Sequence, residues 1–465
     1  MREFKILSTT AILGYGFPEE SFKAGMKRKP DVIAVDAGST DPGPYYLGAG
    51  ESFTNRAAVK RDLEIMLQAG IENNIPVIIG TAGGSGADIH LNWCKEIIYE
   101  IAKEKKLDFK LALIHSEFSK EKIKSALNKN KIKPLGPVKN LTEEEIYKST
   151  FIVGQMGEEP FIKSLEEGAN IILGGRTYDP VVFAAPAIKA GYNKGLALHL
   201  GKILECASIC ATPGSGSDCM FGYLGKDYFK LEPLNPIRKC TVVSVAAHTL
   251  YEKTNPSILP GPGGYLDLTN CEFIQESENM VKVRGSKFVG SEKYTIKLEG
   301  AKLIGYRTVS IAGARDPIMI EKIDEIIDGV KERVRDNFKS KNWDYYIDIK
   351  IYGKNAVMGN LEYNPTTKGC HEIGVVIEAV ASTQQMADTI CAFARATMLH
   401  FGYEGRKATA GNLAFPYSPS DFHAGEVYNF NIYHLMEVDN VNDLFKIEYE
   451  IIKGVDWYDK INWYC

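Results

Sequence analysis

Short, continuously apolar runs alternate with longer amphipathic ones through the first half of the chain. Residues 5–13, 31–37 (DVIAVDA), 76–81 (PVIIGT) and 109–115 (FKLALIH) are rich in Val, Ile and Leu. They lack the polar–apolar alternation of a half-exposed strand, so each is expected to be a strand buried on both faces. Residues 151–153 and 170–173 extend the series. Between the runs, Ala57, Ala58, Leu63, Ile65, Met66 and Ile71 recur near helical spacing, as do Leu91, Trp93, Ile97, Ile98 and Ile101. Strands alternating with helices predict parallel strands joined by right-handed crossovers. The expected fold is a doubly wound, mostly parallel α/β domain over residues 1–225.

The pattern then changes. Strand-like segments at 240–246, 281–283 and 303–311 follow with few helices between them. A helix is expected over 317–338, where Ile318, Ile320, Ile323, Ile326, Ile327 and Val330 recur. Residues 345–352 (YYIDIKIY) alternate with period two, which predicts a half-buried strand. An apolar run at 374–381 and a helix over 383–401 complete an α+β domain expected over 226–439. Residues 440–465 mix aromatic and charged residues and are expected to be a peripheral tail.

Composition narrows the function classes. In 465 residues, 55 basic and 59 acidic side chains are well mixed, for a net charge of −4. That balance gives no basic footprint for nucleic acid or for an anionic membrane surface. No apolar stretch approaches the 18 or so residues of a membrane span, and no secretory leader is recognisable. Nine cysteines at irregular spacings do not form a disulfide framework and fit a reducing, cytoplasmic setting.

The chemistry is concentrated in loops that follow the predicted strands, where α/β proteins place their sites. The first loop carries Asp36, Ser39, Thr40, Asp41 and Tyr46 among four glycines and two prolines. The second, Gly80–Asp88, presents Gly83, Gly84 and Ser85 as a backbone cradle for a carboxylate or phosphate, although Asp88 also suits a helix cap. The third carries Arg176, whose fork matches a carboxylate, and Asp179 before Pro180. Arg176 paired with Asp179 or Asp36, and Asp179 as a helix cap, are the alternative readings. A fourth loop holds Ser215, Ser217 and Asp218. His248, expected at a strand end beside Glu252 and Lys253, is a candidate proton carrier. The loop at 411–421, stiffened by prolines, could close over a site or line a subunit contact.

No cofactor is expected. The Gly14/Gly16 pair lacks the third glycine of a dinucleotide fingerprint, and no Walker loop is present. Asp36, Asp41 and Asp88 could offer oxygen ligands to Mg²⁺. Cys206, Cys210 and Cys219 could hold an iron–sulfur cluster, against the simpler reading of free cysteines as small buried hydrophobes.

The segments VDAGSTDPGPYYLG (35–48), IIGTAGGSGAD (78–88), GGRTYDPVVFAA (174–185), ATPGSGSDCMFGYL (211–224), HTLYEKTNP (248–256) and GNLAFPYSPSD (411–421) resemble the acyclic terpene utilisation (AtuA) family, in order and over residues 4–437. The resemblance implies catabolism of branched acids and their CoA thioesters. It also implies the shorter type of chain, which works with a separate small protein subunit. The expected activity is a hydro-lyase acting on a small anionic substrate, with Asp36, Asp41 or His248 moving protons and Arg176 and the glycine loop as the clamp. A homo-oligomer is expected. A non-catalytic metabolite-binding subunit and an acyl- or CoA-transferring enzyme are the alternatives.

Overall fold

The computed structural model describes residues 2–251, 253–408 and 413–454. The chain divides into two units, Met1–Lys302 with Phe430–Cys465, and Leu303–Asn429.

In the first unit, the apolar runs form five parallel strands in the spatial order Phe4–Ser8, Val32–Asp36, Val77–Gly80, Ile171–Gly174, Phe109–Ile114. Alternate side chains leave opposite faces of a strand, and both faces are covered. Val32, Ala34, Ile78 and Ile172 pack with Val181, Val182, Leu200 and Leu204 from the helices Val181–Lys189 and Lys194–Leu204. Ile33, Val35, Ile79 and Leu173 pack with Leu63, Met66, Ile97 and Ile101 from the helices Arg56–Glu72 and Asp88–Lys105. This is the mixed α/β class with helices on both faces that the continuous apolar runs imply.

Antiparallel strands widen the sheet to ten. Met220–Leu224, Tyr228–Pro233, Val281–Arg284 and Glu272–Gln275 continue it beyond Phe4–Ser8, and Ile447–Ile452 pairs with Phe109–Ile114 on the other side. The expected break at residue 225 therefore falls inside one sheet. Short strands that follow residue 225 find an existing edge to pair with, and the chain divides at Leu303 instead. Part of the expected tail is likewise an edge strand, while residues 455–465 lie outside the described residues.

Two elements differ from expectation in kind. Phe151–Gly154 is a strand, but it pairs antiparallel with Thr295–Ala314 rather than joining the parallel series. Residues 240–246, expected as a strand, give way to the helix Val242–Leu250. The valines suggested a strand, but Thr241 and Ser244 form a capping box that starts a helix there.

The second unit has the order strand, helix, strand, strand, helix, strand. Its strands lie as Tyr345–Tyr352, Ile373–Ala381, Thr295–Ala314, Asp421–Glu437, the arrangement of a split βαβ sandwich. The helices Ile323–Phe338 and Gln384–Leu399 cover one face, with Ile326, Val330, Ile390 and Ala394 packed on Ile349, Val375 and Ile377.

Candidate active site

The parallel register sets Asp36 opposite Gly80 at the carboxyl end of the sheet. Glycine is required there, because a Cβ at residue 80 would stand 2.7 Å from Asp36 Oδ1 and 2.8 Å from Val182 Cγ1. Three loops are then pinned together by one hydroxyl. Ser116 Oγ donates to the Gly86 carbonyl at 2.8 Å and accepts from the Arg176 amide at 2.5 Å. Gly86 lies so close that a Cβ would meet the Arg176 amide nitrogen at 2.1 Å, and its φ of +73° favours glycine independently.

Arg176 is buried, and its guanidinium is engaged. Nε donates to Glu299 Oε2 at 2.7 Å, and Nη1 donates to the Thr177 carbonyl at 2.7 Å and to Asp179 Oδ1 at 3.0 Å. Glu299 also receives the Thr40 hydroxyl at 2.7 Å and the Lys297 ammonium at 2.7 Å. Burial disfavours the Glu299 charge, but Arg176 and Lys297 outweigh it and hold the carboxyl down at about 2. Asp36 behaves oppositely. Burial, and then the charge of Asp179, push its pKa well above the ordinary carboxylate value, with Arg176 only partly compensating. Asp36 Oδ1 is buried without a hydrogen-bond partner. Lys202 pairs with Glu205; burial opposes its charge, but Glu205 and Asp179 raise its pKa.

A cavity of about 840 Å³ opens over this cluster within the first unit. Arg176, Lys202, Lys297, Asp41 and Asp179 line it, together with the phenols Tyr178, Tyr265 and Tyr433. Leu135, Val138, Ile258, Leu259 and Leu435 supply an apolar share of the lining. Tyr178 stays a phenol, because burial and then Glu205 raise its pKa.

Of the residues singled out from sequence, Asp41 and Arg176 line the cavity. Thr40 is buried against Glu299 beneath them, and Asp36 is buried without lining the cavity. Ser39 accepts the Asp41 amide at 3.2 Å. Tyr46 packs its ring on Phe53, and its carbonyl receives His90 Nε2 at 3.1 Å. The glycine loop is not an open cradle. Gly83 and Gly84 are buried against His90 and Phe53, and Ser85 is buried with its hydroxyl unpartnered. Their lack of a Cβ serves close packing of loops rather than access to an anion. Asp88 is the first helical residue after Ala87, not the cap, and pairs with His115 at 2.8 Å. Asp179 turns to Arg176 instead of capping, with Pro180 in the cap position.

Ser215, Ser217 and Asp218 lie elsewhere, in a loop whose Gly216 carbonyl receives the Ala11 amide at 2.8 Å. Asp218 accepts from Arg238 Nε at 2.7 Å, Asn235 Nδ2 at 2.8 Å and the Cys219 amide at 2.9 Å, so its carboxylate is fully occupied. His248 is on a helix, not at a strand end. It is buried, and burial followed by Lys202 and Lys253 lowers its pKa to about 4; Glu252 lies outside the described residues. The cysteine triad does not assemble: Cys210 has Cys240 and Cys206 as thiol neighbours, but Cys219 is buried apart from them. Among the described residues no three His, Cys, Asp or Glu side chains are placed to hold a metal ion. At the 411–421 loop, Gly411 and Asn412 lie outside the described residues.

Sequence reasoning missed Lys202, Lys297, Glu299 and the phenols. One signal was present for Lys202, a single charge in the buried run Leu196–Leu204. Lys297 and Glu299 share one face of a strand by their spacing of two.

The chain matches the family model described as acyclic terpene utilisation family protein AtuA over residues 50–218 and 238–420. It belongs to the acyclic terpene utilisation family. Among curated proteins and among solved structures, none matches the chain significantly. The family match covers the glycine loop, the Arg176 loop and Glu299, while Asp41, Tyr433 and Leu435 of the cavity of this acyclic terpene utilisation protein lie outside the matched residues. Membership gives it a place in acyclic terpene catabolism. Among its described residues, no helix is long and apolar enough to cross a membrane.

Proposed function

We propose that this protein is a hydro-lyase that adds water to, or removes it from, a small branched carboxylic acid or its CoA thioester. The observation that carries the reading is the cavity lining, which joins Leu135, Val138, Ile258, Leu259 and Leu435 to Arg176, Lys202, Lys297 and Asp179. An apolar branched chain with an anionic or carbonyl head matches such a lining. Hydration of a conjugated double bond needs a base to take a proton from water, and donors for the oxyanion that forms on the carbonyl. It also needs an acid to return a proton to the α-carbon. Asp179 is the base in this reading. Lys202 and the Tyr178 phenol are the donors, where fixed donors at developing charge are worth most. Asp36, whose pKa burial and then Asp179 raise, is the second carboxyl of an unlike pair, the pattern that separates acid from base. Its place behind the cavity makes it a positioning and proton-holding group. Asp41 is a cavity-lining alternative to Asp179. His248 does not line the cavity. The free cysteines support a reducing, cytoplasmic setting.

The test is to incubate the protein with a branched α,β-unsaturated acyl-CoA in isotopically labelled water. Gain of one labelled oxygen by the acyl group is expected, and its loss in Asp179→Asn. Binding without exchange would replace the reading with that of a metabolite-binding subunit. An acylated protein side chain would replace it with acyl transfer.

A further inference from the structure

The strand Tyr345–Tyr352 is the edge of its sheet, hydrogen-bonded to Ile373–Ala381 on one side and to no other strand among the described residues. It is eight residues long and contains no proline. Long edges of this kind pair with other chains unless something prevents it. Ile347, Ile349 and Ile351 face the helices. The other face carries Tyr346, Asp348, Lys350 and Tyr352, with the two tyrosines 57% and 53% exposed.

The order of these residues is self-complementary. Residues 346–352 read Tyr-Ile-Asp-Ile-Lys-Ile-Tyr, the same in both directions except that Asp and Lys exchange. Set against a second copy running antiparallel, with a two-fold axis at Ile349, Tyr346 falls opposite the second copy's Tyr352. Ile347 then falls opposite Ile351, Asp348 opposite Lys350, and Ile349 opposite itself. Aromatic, aliphatic and opposite-charge pairs directly across an antiparallel ladder each contribute about 0.2–1 kcal/mol, and like charges there destabilise. A shift of one residue would put tyrosine opposite isoleucine and send side chains to the wrong face. We infer that this strand is the seam of a homodimer, joining the sheets of two copies edge to edge into one continuous sheet. A different protein would need no such symmetry in the strand; a second copy of this chain does. Within one chain, Lys350 lies 3.8 Å from Asp348 and also pairs with Glu378, and Asp348 lies 3.3 Å from Lys331, so the cross-copy pair would share partners already in place. The following loop turns back on the Ile351 carbonyl, which accepts from the amides of Lys354, Asn355 and Ala356, so the strand stops at Tyr352. That loop exposes Val357, Leu361 and Tyr363 by 84%, 80% and 96%. In the antiparallel pairing it comes beside the start of the second copy's strand, where such side chains can be covered.

The charge columns provide a test that a general surface effect would not mimic. Asp348→Lys gives a chain with lysine at both positions, and Lys350→Asp gives one with aspartate at both. Each variant faces itself with like charges, but the two face each other with opposite charges. By sedimentation of the full chain, wild type is expected to be dimeric. Each variant alone should dissociate at a concentration about tenfold or more higher, and an equal mixture should recover a one-to-one dimer. A monomeric wild type, variants that associate as tightly as wild type, or a mixture no tighter than its parts would overturn the proposal. Should either variant fail to fold by circular dichroism, Tyr346→Cys chains mixed with Tyr352→Cys chains replace them. A mixed disulfide between those two positions is then the expected result, and its absence the overturning one.

Discussion

Arg176 and Asp218 lie on glycine-containing loops of the same sheet, each is about 1% exposed, and each holds an oppositely charged partner at 2.7 Å. From sequence the two loops look alike. Around Asp218 the charges close: the carboxylate receives one arginine, one asparagine and one backbone amide. Around Arg176 they do not close. Arg176, Lys202 and Lys297 stand against Glu299, Asp179, Glu205 and Asp36, and Asp36, which has no ion pair among the described residues, has its pKa pushed up by burial and by Asp179. A closed pair fastens a loop. An unequal cluster beside a cavity leaves one carboxyl without a counter-charge, and this difference, rather than the presence of Gly, Ser, Asp and Arg, distinguishes the two loops.

The largest effect that would sharpen the contrast is on stability. Arg176→Ala leaves Glu299 and Asp179 without their shared partner, and breaking a buried pair from one side costs about 3–5 kcal/mol. Arg176→Lys should recover only part of this, because an ammonium cannot reproduce the fork. Urea unfolding midpoints measure both, and an undiminished midpoint would mean that Arg176 serves ligand rather than fold. Asp179→Asn should act on turnover instead. Removing a general base lowers kcat by about 10²–10⁴, while the lost charge-assisted bond lowers stability by about 1.5–3 kcal/mol. Asp218→Asn is the matching change in the brace. It should cost a similar 1.5–3 kcal/mol yet leave substrate binding per folded molecule unchanged, as titration calorimetry would read. A loss of affinity there would erase the comparison.

The smallest effect is in the pH dependence. Glu299 is lowered from 4.5 to about 2, so its contribution to stability is present above the ordinary carboxylate range and is lost as pH falls from about 4.5 towards 2. Asp36 is raised, so its contribution is full below its unfolded value of 3.8 and is lost as pH rises through its folded value. Asp36→Asn should therefore flatten the high-pH side of the stability profile and leave the acid side, set by Glu299, in place. An unchanged high-pH side would show that Asp36 titrates normally.

What was legible in the sequence follows from range. Strands buried on both faces announce themselves by composition, so Val32–Asp36, Val77–Gly80 and Ile171–Gly174 were evident. The antiparallel wings were not assigned to that sheet, because half-buried segments such as Glu272–Gln275 do not say which edge they will join. Val242–Leu250 was obscured by β-branched residues whose preference a single capping box overrides. Asp41 and Arg176 were legible because strand-end loops carry their own signature. Glu299 was not, since it reaches Arg176 across 123 residues of sequence through a register that no local pattern encodes.

The Ser116 hydroxyl sets a limit on how this site can be re-engineered. It touches the backbone of the loops at 86 and 176 at once, and those loops meet where not even a methyl group fits. Backbone-to-backbone fits of this kind are indifferent to side-chain identity but intolerant of any change in loop length or path. Grafting a single loop from a relative would misplace the other two. The three loops after Val77–Gly80, Phe109–Ile114 and Ile171–Gly174 form one transplantable cassette and must be exchanged together.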